Sequence, residues 1–434
     1  MQIESILKRL AISSLNEMQQ EVLDRYKMDQ DFVLLSPTGT GKTLAFSLLI
    51  AQKLQANYQG VQCLIIVPTR ELALQIEQVL KKVMQGFKIT CCYGGHSTKI
   101  ERNTLKEAPA ILIGTPGRIA HHIEAGNFEA AKVHTLVMDE FDKSLELGFQ
   151  DQISMITAYL RGLNHRILTS ATNMEELPAF TGVSNPIYVN YLNQAQSAPK
   201  ITYKKVTSPV HLKLKSLLNL LCKLGGQKVI IFCNHRDAVD HISELLEDRE
   251  LIHDTFHGGL EQIDRELALL KFRNKSNQIL ITTDLAARGL DIPEVDAIIH
   301  YQLPTREDAF IHRNGRTARM EAKGTVYLLL KPEDDFAYLP EEVQEEDLTE
   351  TYPLPANTPY TTLYFNAGKK DKINKIDIVG YLLNLAGIQK EDVGVIEIKD
   401  HEAYAAVDRK VAAIVLKRST LDKIKGRKIK IQRT

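Results

Sequence analysis

The run "VHTLVMDEFDKS" (133–144) leads an apolar stretch into three acids, Asp139, Glu140 and Asp142. Carboxylates so close together repel one another and are costly to desolvate, so they call for a compensating cation. A matching partner lies upstream in "SPTGTGKT" (36–43), which follows the apolar run "DFVLL" and opens a helix-forming stretch. Strand, glycine-rich turn and helix in that order make a phosphate cradle. Gly39 and Gly41 let the loop of Thr38, Gly39, Thr40 and Gly41 curl so that its N–H groups point inward. The helix start adds positive potential, Lys42 reaches the β and γ phosphates, and Thr43 offers a hydroxyl to Mg²⁺. Ser36 stands where the general pattern has glycine. Asp139 then reads as an acid holding Mg²⁺, partly through water, and Glu140 as the base that orients and deprotonates an attacking water. Asp142 has no part in that scheme.

These residues need a scaffold. "DFVLLS", "QCLIIV", "KITCCY", "AILIGT", "HTLVMD" and "HRILTS" are strand-like and apolar throughout. They alternate with stretches such as "RELALQIEQVLKKVMQ", whose apolar residues recur at helical spacing. Strands without a polar face predict a parallel sheet covered by helices on both sides. The rhythm breaks in a polar linker near residues 190 to 205, then restarts with "KLKSLLNLLCKL", "KVIIFC", "DAVDHISELLED", "LIHDTF", "QIDRELALLKF", "QILITT", "AIIHY" and "TVYLLL". The expectation is two α/β domains of one architecture in tandem, without a residue-level repeat. The acidic, Pro-containing "EEVQEEDLTETYPLPANTP" reads as a linker. The expected division is 1–195, 206–340, a linker at 341–359, and a small α+β domain at 360–434.

The bulk numbers bound the partners. Lys plus Arg and Asp plus Glu are 54 each, so net charge favours none. The last segment, 361–434, has 16 Lys/Arg against 9 Asp/Glu, a net of +7 that marks it as a candidate nucleic-acid binder. Five cysteines without a CxxC pair predict buried free thiols in a reducing compartment. The N-terminus has no long apolar core of a signal, and no apolar run reaches the length of a membrane span, so the expectation is a cytoplasmic protein.

The order "SPTGTGKT", "PTREL" (68–72), "YGG" (93–95), "TPGR" (115–118), "DEFD" (139–142), "SAT" (170–172), "IFCN" (231–234), "TTDLAARGLD" (282–291) and "HRNGRTAR" (312–319) resembles the DEAD-box RNA helicases over about residues 1 to 335. The resemblance implies two RecA-like domains that use ATP and bind RNA. By position, Gln19 would read adenine. Asp142, Ser170 and Thr172 would couple hydrolysis to domain arrangement, which gives the third carboxylate its role. Gly289 and Asp291 would meet the nucleotide, and Arg316 and Arg319 would act as arginine fingers. The RNA-facing set would be Arg70, Gly94, Gly95, Thr115, Gly117 and Arg118, with Gln262, Arg265 and Thr283 from the second domain. Such groups suit a reader of phosphate and 2′-OH. Local strand separation is implied, processive tracking is not. Departures from the family pattern are Phe141 for the usual alanine, Asn314 and Ala318 in "HRNGRTAR", and "LNEMQ" where "PTPIQ" is usual.

"TTLYFNAGKKDKINKIDIVGYLLNLAGI" resembles the C-terminal domain of DbpA-type helicases, a divergent RNA-recognition-motif fold that docks a hairpin of large-subunit ribosomal RNA. The β-α-β-β-α-β reading places strands at 361–366, 393–399, 403–407 and 427–432, and helices at about 374–386 and 411–424. Tyr364 and Tyr404 keep stacking positions, whereas Ala406 lacks a ring, so Lys369, Lys370, Lys372 and Lys375 are expected to carry more of the RNA contact, with Tyr404 beside them. The expected partner is RNA, with neither DNA nor membrane, and the expected state is a monomer. Three other readings stay open: a general remodeller of messenger or decaying RNA, an ATP-gated clamp that does not unwind, and, more distantly, a DNA translocase.

Overall fold

A computed structural model describes residues 3–27, 30–37, 39–95, 97–174, 176–192, 201–284, 295–317, 324–419 and 423–434. Counted over these residues, the chain builds three sheets. The first has strands β1 (Phe32–Leu35), β2 (Cys63–Ile66), β3 (Ile89–Cys92), β4 (Ile111–Gly114), β5 (Thr135–Met138), β6 (His165–Ser170) and β7 (Ile187–Asn190). Their order is β3-β4-β2-β5-β6-β1-β7, parallel throughout. Around it run α1 (Ile3–Leu10), α2 (Glu17–Arg25), α3 (Lys42–Lys53), α4 (Arg70–Val83), α5 (Thr98–Leu105), α6 (Pro116–Glu124), α7 (Phe141–Glu146) and α8 (Gln150–Tyr159).

Strand β1 shows why the strands read as unbroken apolar runs. Phe32 and Leu34 pack into one core cluster with α3 and α4, while Val33 and Leu35 pack into a second with α6 and α8. Successive side chains point to opposite faces, and helices cover both.

The second sheet repeats the plan with β8 (Ile201–Thr207), β9 (Val229–Phe232), β10 (Asp254–Phe256), β11 (Ile279–Thr282), β12 (Ala297–His300), β13 (Gly324–Leu330) and β14 (Gln344–Glu345), in the order β10-β11-β9-β12-β13-β8-β14. Its helices are α9 (Lys213–Leu224), α10 (Arg236–Glu247), α11 (Gln262–Arg273) and α12 (Glu307–Asn314). Both sheets are RecA-like, as expected. Two polar stretches differ from their sequence reading. Part of the supposed linker near 190 to 205 is strand β8, paired with β13 from Ile201–Gly324 to Thr207–Leu330. The strand escapes hydropathy because only Val206 on it is buried. Within the acidic stretch, β14 pairs with β8, and Glu346 is buried between Lys204 (2.7 Å) and Lys223.

The third sheet is antiparallel, β16-β17-β15-β18, from β15 (Tyr360–Phe365), β16 (Val393–Ile398), β17 (Ala403–Asp408) and β18 (Ile431–Arg433), with α13 (Lys375–Gly380) and α14 (Arg409–Ser419) against its inner face. The helix expected over 374–386 winds wider after Gly380, with i→i+5 bonding over Tyr381–Leu385. The last strand is shorter than expected because a tight turn, Ile424 paired with Arg427, precedes it. Residues of the first sheet form one compact unit, and the second and third sheets together form another.

Candidate nucleotide and RNA sites

The phosphate loop joins β1 to α3. Its N-cap, Gly41, has φ 89°, so the backbone demands glycine, and a Cβ there would fall 2.4 Å from Gln19 Nε2 and displace that amide. Ser36, the departure from the general pattern, is buried. Its N–H donates to Ser170 O on β6 at 3.0 Å, and its hydroxyl lies 2.8 Å from that of Thr40. Lys42 is buried, and its Nζ donates to Ser36 O and, at 3.1 Å, to Pro37 O, which holds the ammonium inside the loop. Thr38 lies outside the described residues.

Gln19 meets this loop through a capping box. Its N–H donates to Asn16 Oδ1 (2.9 Å), its Oε1 accepts from Asn16 N (3.1 Å), and its Nε2 donates to Gly41 O (3.2 Å). Asn16 Nδ2 also donates to Thr40 O at 2.9 Å. "LNEMQ" thus departs from the usual letters yet delivers its glutamine to the loop's rim.

The acids stand at the end of β5, beside β6, which lies next to β1. Asp139 is buried, and its carboxylate accepts from the Thr169 hydroxyl. Burial pushes its pKa above the ordinary range, and Thr169 and Lys42 only partly oppose this. Glu140 sits at φ 48°, ψ 51° and its N–H donates to Thr169 Oγ1 at 3.3 Å. A left-handed non-glycine residue stores on the order of 1–3 kcal/mol, a cost that clusters at functional positions. Asp142 Oδ2 accepts from Thr172 Oγ1 at 2.8 Å, and Ser170 Oγ donates to Thr172 O at 2.8 Å. The three residues expected to couple hydrolysis to domain arrangement therefore do meet. Phe141 is buried beside Phe180, ring centroids 6.3 Å apart, so the bulky replacement packs into the core below the acids and leaves the Asp142–Thr172 bond in place.

The first-domain RNA candidates also converge. Arg70 starts α4 behind its N-cap Thr69, and its guanidinium lies under Gly94 and Gly95; a Cβ on Gly95 would fall 2.5 Å from Nη1. Thr115 caps α6, which begins Pro116, Gly117, Arg118. Arg118 Nη1 is 3.5 Å from Glu101 Oε2. Glu101 is the residue the sequence reading missed. It is 2% exposed, accepts from Tyr93 N at 3.0 Å just before the two glycines, and pairs with His122 Nε2 at 2.8 Å. His122 Nδ1 in turn lies 2.9 Å from Asn127 Nδ2, so the imidazole donates from Nε2 and accepts at Nδ1. A glutamate amid "TKIERNTL" looks like an exposed helix residue. Only its place opposite "TPGR" reveals that it ties the two candidate RNA segments together.

In the second domain, Gln262 opens α11, with Nε2 3.3 Å from Glu266 Oε1, and Arg265 is buried on the same helix. Thr283 follows β11, its N–H donating to Phe256 O at 3.4 Å. Arg316 is buried in the turn after α12. Gly289, Asp291 and Arg319 lie outside the described residues. Arg313, not singled out from sequence, is fully buried and satisfied by Asp284 (2.6 Å), Gln302 O (2.7 Å) and Asn234 (2.9 Å). The departure at Asn314 is matched locally: Oδ1 lies 2.8 Å from His300 Nε2, and burial lowers the His300 pKa to about 3, so its ring is neutral.

In the C-terminal domain Lys369, Lys370, Lys372 and Lys375 are exposed along one loop and the start of α13. A second basic loop joins them through Lys425, whose Nζ donates to Lys372 O at 3.1 Å and pairs with Asp377 at 2.8 Å. Tyr404 is placed differently. It is 5% exposed, edge-on to Tyr364 at 5.6 Å, with Lys399 Nζ 5.3 Å from its ring centroid.

Three family descriptions match the chain: "DEAD/DEAH box helicase" over 16–179, "Helicase conserved C-terminal domain" over 212–321, and "DbpA RNA binding domain" over 362–433. The ATP-dependent RNA helicase DbpA of Escherichia coli is 30% identical, covering 98% of this chain and 96% of that protein. The protein of the same name from Bacillus subtilis is 28% identical over the same shares. In fold, the chain resembles S. cerevisiae Dbp5 bound to RNA and ADP BeF3, with a TM-score of 0.70, 23% identity, and coverage of 79% of this chain and 93% of that one.

Proposed function

Because the chain belongs to the DEAD-box RNA helicases and carries a DbpA-type RNA-binding domain, we propose that it remodels large-subunit ribosomal RNA during ribosome assembly, held to a hairpin by its C-terminal domain. The chain is an RNA-stimulated ATPase of that family. In this reading the phosphate loop and Lys42 hold the triphosphate, and Gln19 reads the adenine. Glu140 takes the proton of the attacking water. Thr43 and Asp139 would hold Mg²⁺. Hard oxygen donors suit that ion, and a desolvated carboxylate with a raised pKa suits a dication's charge. Bound there, Mg²⁺ would neutralise phosphate charge. Gly289 and Asp291 meet the nucleotide, and Arg316 and Arg319 supply the second domain's charge to the transferring phosphoryl group. Asp142, Ser170 and Thr172 report nucleotide state to the domain arrangement.

RNA runs along Arg70, Gly94, Gly95, Thr115, Gly117 and Arg118, and along Gln262, Arg265 and Thr283. The exposed lysines at 369–375 grip the hairpin. The protein acts as a cytoplasmic monomer of three domains, 1–195, a second that extends beyond 206–340 to take in β8 and β14, and 360–434.

The observation that carries this reading is the meeting of Lys42, Asp139, Asp142, Ser170 and Thr172 at the ends of the neighbouring strands β5, β6 and β1. The test compares ATPase stimulation and binding, at stated salt, by ribosomal hairpins, unrelated hairpins, generic duplex RNA and DNA, for the full chain and for a truncation near residue 355. Hairpin preference that is present only in the full chain, with weak RNA stimulation surviving truncation, supports the tether. Equal stimulation by all RNAs supports a general remodeller instead, and stimulation by DNA refutes both.

A further inference from the structure

The outer face of the C-terminal sheet is fixed by register. Thr362 lies opposite Ala406, Tyr364 opposite Tyr404, and Tyr404 opposite Glu397. The inner-facing Leu363, Phe365, Ala405 and Val407 fill the domain's own core. In a free sheet of this kind the outer aromatics are open to stack bases. Here the face is covered by the second helicase domain. Thr362 is 1% exposed; its hydroxyl accepts from Asn274 Nδ2 at 2.9 Å and donates to Ser276 Oγ at 2.8 Å. Arg409 donates from Nε to Thr358 O (2.8 Å) and from Nη2 to Ser276 O (3.2 Å). Asn274 and Ser276 are themselves buried, just beyond the end of α11.

Two further contacts run along α11. Arg273 meets Glu397 at 3.5 Å near its C-terminal end. Toward its start, Lys399 Nζ lies 2.9 Å from Glu266 Oε2 and 3.3 Å from Glu402, and Glu266 Oε1 accepts from Gln262 Nε2 at 3.3 Å. Burial alone would lower the Lys399 pKa, but Glu266 and Glu402 outweigh it and hold it above the usual lysine value. A partly exposed ion pair is worth at most about 1 kcal/mol, so Lys399 matters less for holding the domains together than for where it holds Glu266. The buried hydroxyl and amide cluster does the holding.

We propose that the outer sheet face of the C-terminal domain is a docking surface for α11 and the turn after it, and that Lys399, acting through Glu266, is a positioning residue for the RNA-facing Gln262. The proposal rests on the RNA-site reading above. It makes the hairpin holder a rigid extension of the second domain, so that RNA captured by the lysines meets α11 at a fixed orientation.

The test uses the full chain. In Ser276→Cys/Thr362→Cys, sulfurs replace two oxygens in contact, and a disulfide is expected on mild oxidation, verified by peptide mapping. Hairpin affinity and RNA-stimulated ATPase are expected to stay within about twofold of the reduced form, a change of under half a kcal/mol. Failure to form the disulfide, or loss of hairpin binding once it forms, overturns the docking. Lys399→Met is expected to raise the KM for RNA by roughly three- to tenfold with kcat at saturating RNA unchanged, the loss of one charge-assisted bond, and Lys399→Arg to restore it. An unchanged KM overturns the positioning role. A wild-type chain with no hairpin preference sinks the tether, and the disulfide still decides the docking.

Discussion

Two buried polar clusters in this protein have opposite characters. The cluster at Asp139 keeps a carboxylate in the interior whose pKa is raised because pairing does not offset burial, next to Glu140 in a strained left-handed turn. The cluster at Thr362, Asn274 and Ser276 is equally buried, carries no charge, and bonds hydroxyl to hydroxyl and amide to hydroxyl. The first is poised for a ligand at the expense of stability. The second gives up ligand access for stability. Burial alone does not separate a site from a joint; the state of satisfaction does.

Five substitutions and one titration press on that contrast. Glu140→Gln is expected to lower ATP turnover by about a thousandfold, within the range for a lost general base, while ATP-dependent RNA binding persists. Steady-state ATPase and RNA binding check it, and undiminished turnover removes Glu140 as base. Phe141→Ala restores the family's usual residue but empties the space beside Phe180, and is expected to cost about 3–5 kcal/mol in denaturant unfolding. A smaller loss would mean the lower core collapses readily. Thr362→Val takes the hydroxyl partner from Asn274 Nδ2 and Ser276 Oγ at the joint and is expected to cost about 1–3 kcal/mol with kcat unchanged.

Asp139→Asn should move stability the other way. A raised carboxylate pKa means that the ionised folded form is disfavoured above the unfolded pKa, so removing the charge is expected to raise Tm by about 2–4 °C while abolishing turnover. A fall in Tm would show that Asp139 is stabilising after all. The titration concerns two buried histidines. Burial lowers His165 and His300 to about 3. The unfolded chain therefore binds protons that the folded chain does not from about pH 6.5 down to that value, and stability falls as pH falls through this window, by at most about 1.4 kcal/mol per unit for each ring. Thermal melts at pH 7 and 5 read it. His300→Gln, placed against Asn314, is expected to flatten the dependence.

The helicase core was legible because its chemistry is local. "SPTGTGKT", "DEFD" and "SAT" each put their residues within a few positions of a strand's end, and strands buried on both faces advertise themselves as apolar runs. Polar strands near an edge were not legible: β8 reads as linker because only one of its side chains is buried, and β14 reads as part of an acidic tail. Glu101 was hidden for a similar reason, since its partners Tyr93, Arg118 and His122 come from other segments.

By itself the sequence determined the two parallel sheets, the phosphate loop and its acids, and the basic character of the last domain. Those follow from hydropathy period, glycine at left-handed positions and charge, all properties of neighbours along the chain. The tertiary structure alone decided that Thr362 meets another domain, that Lys399 reaches Glu266, and that Phe141 has Phe180 to pack on. Each is a pairing between distant segments, and an alternating strand looks the same in sequence whether its outer face meets RNA, water or protein.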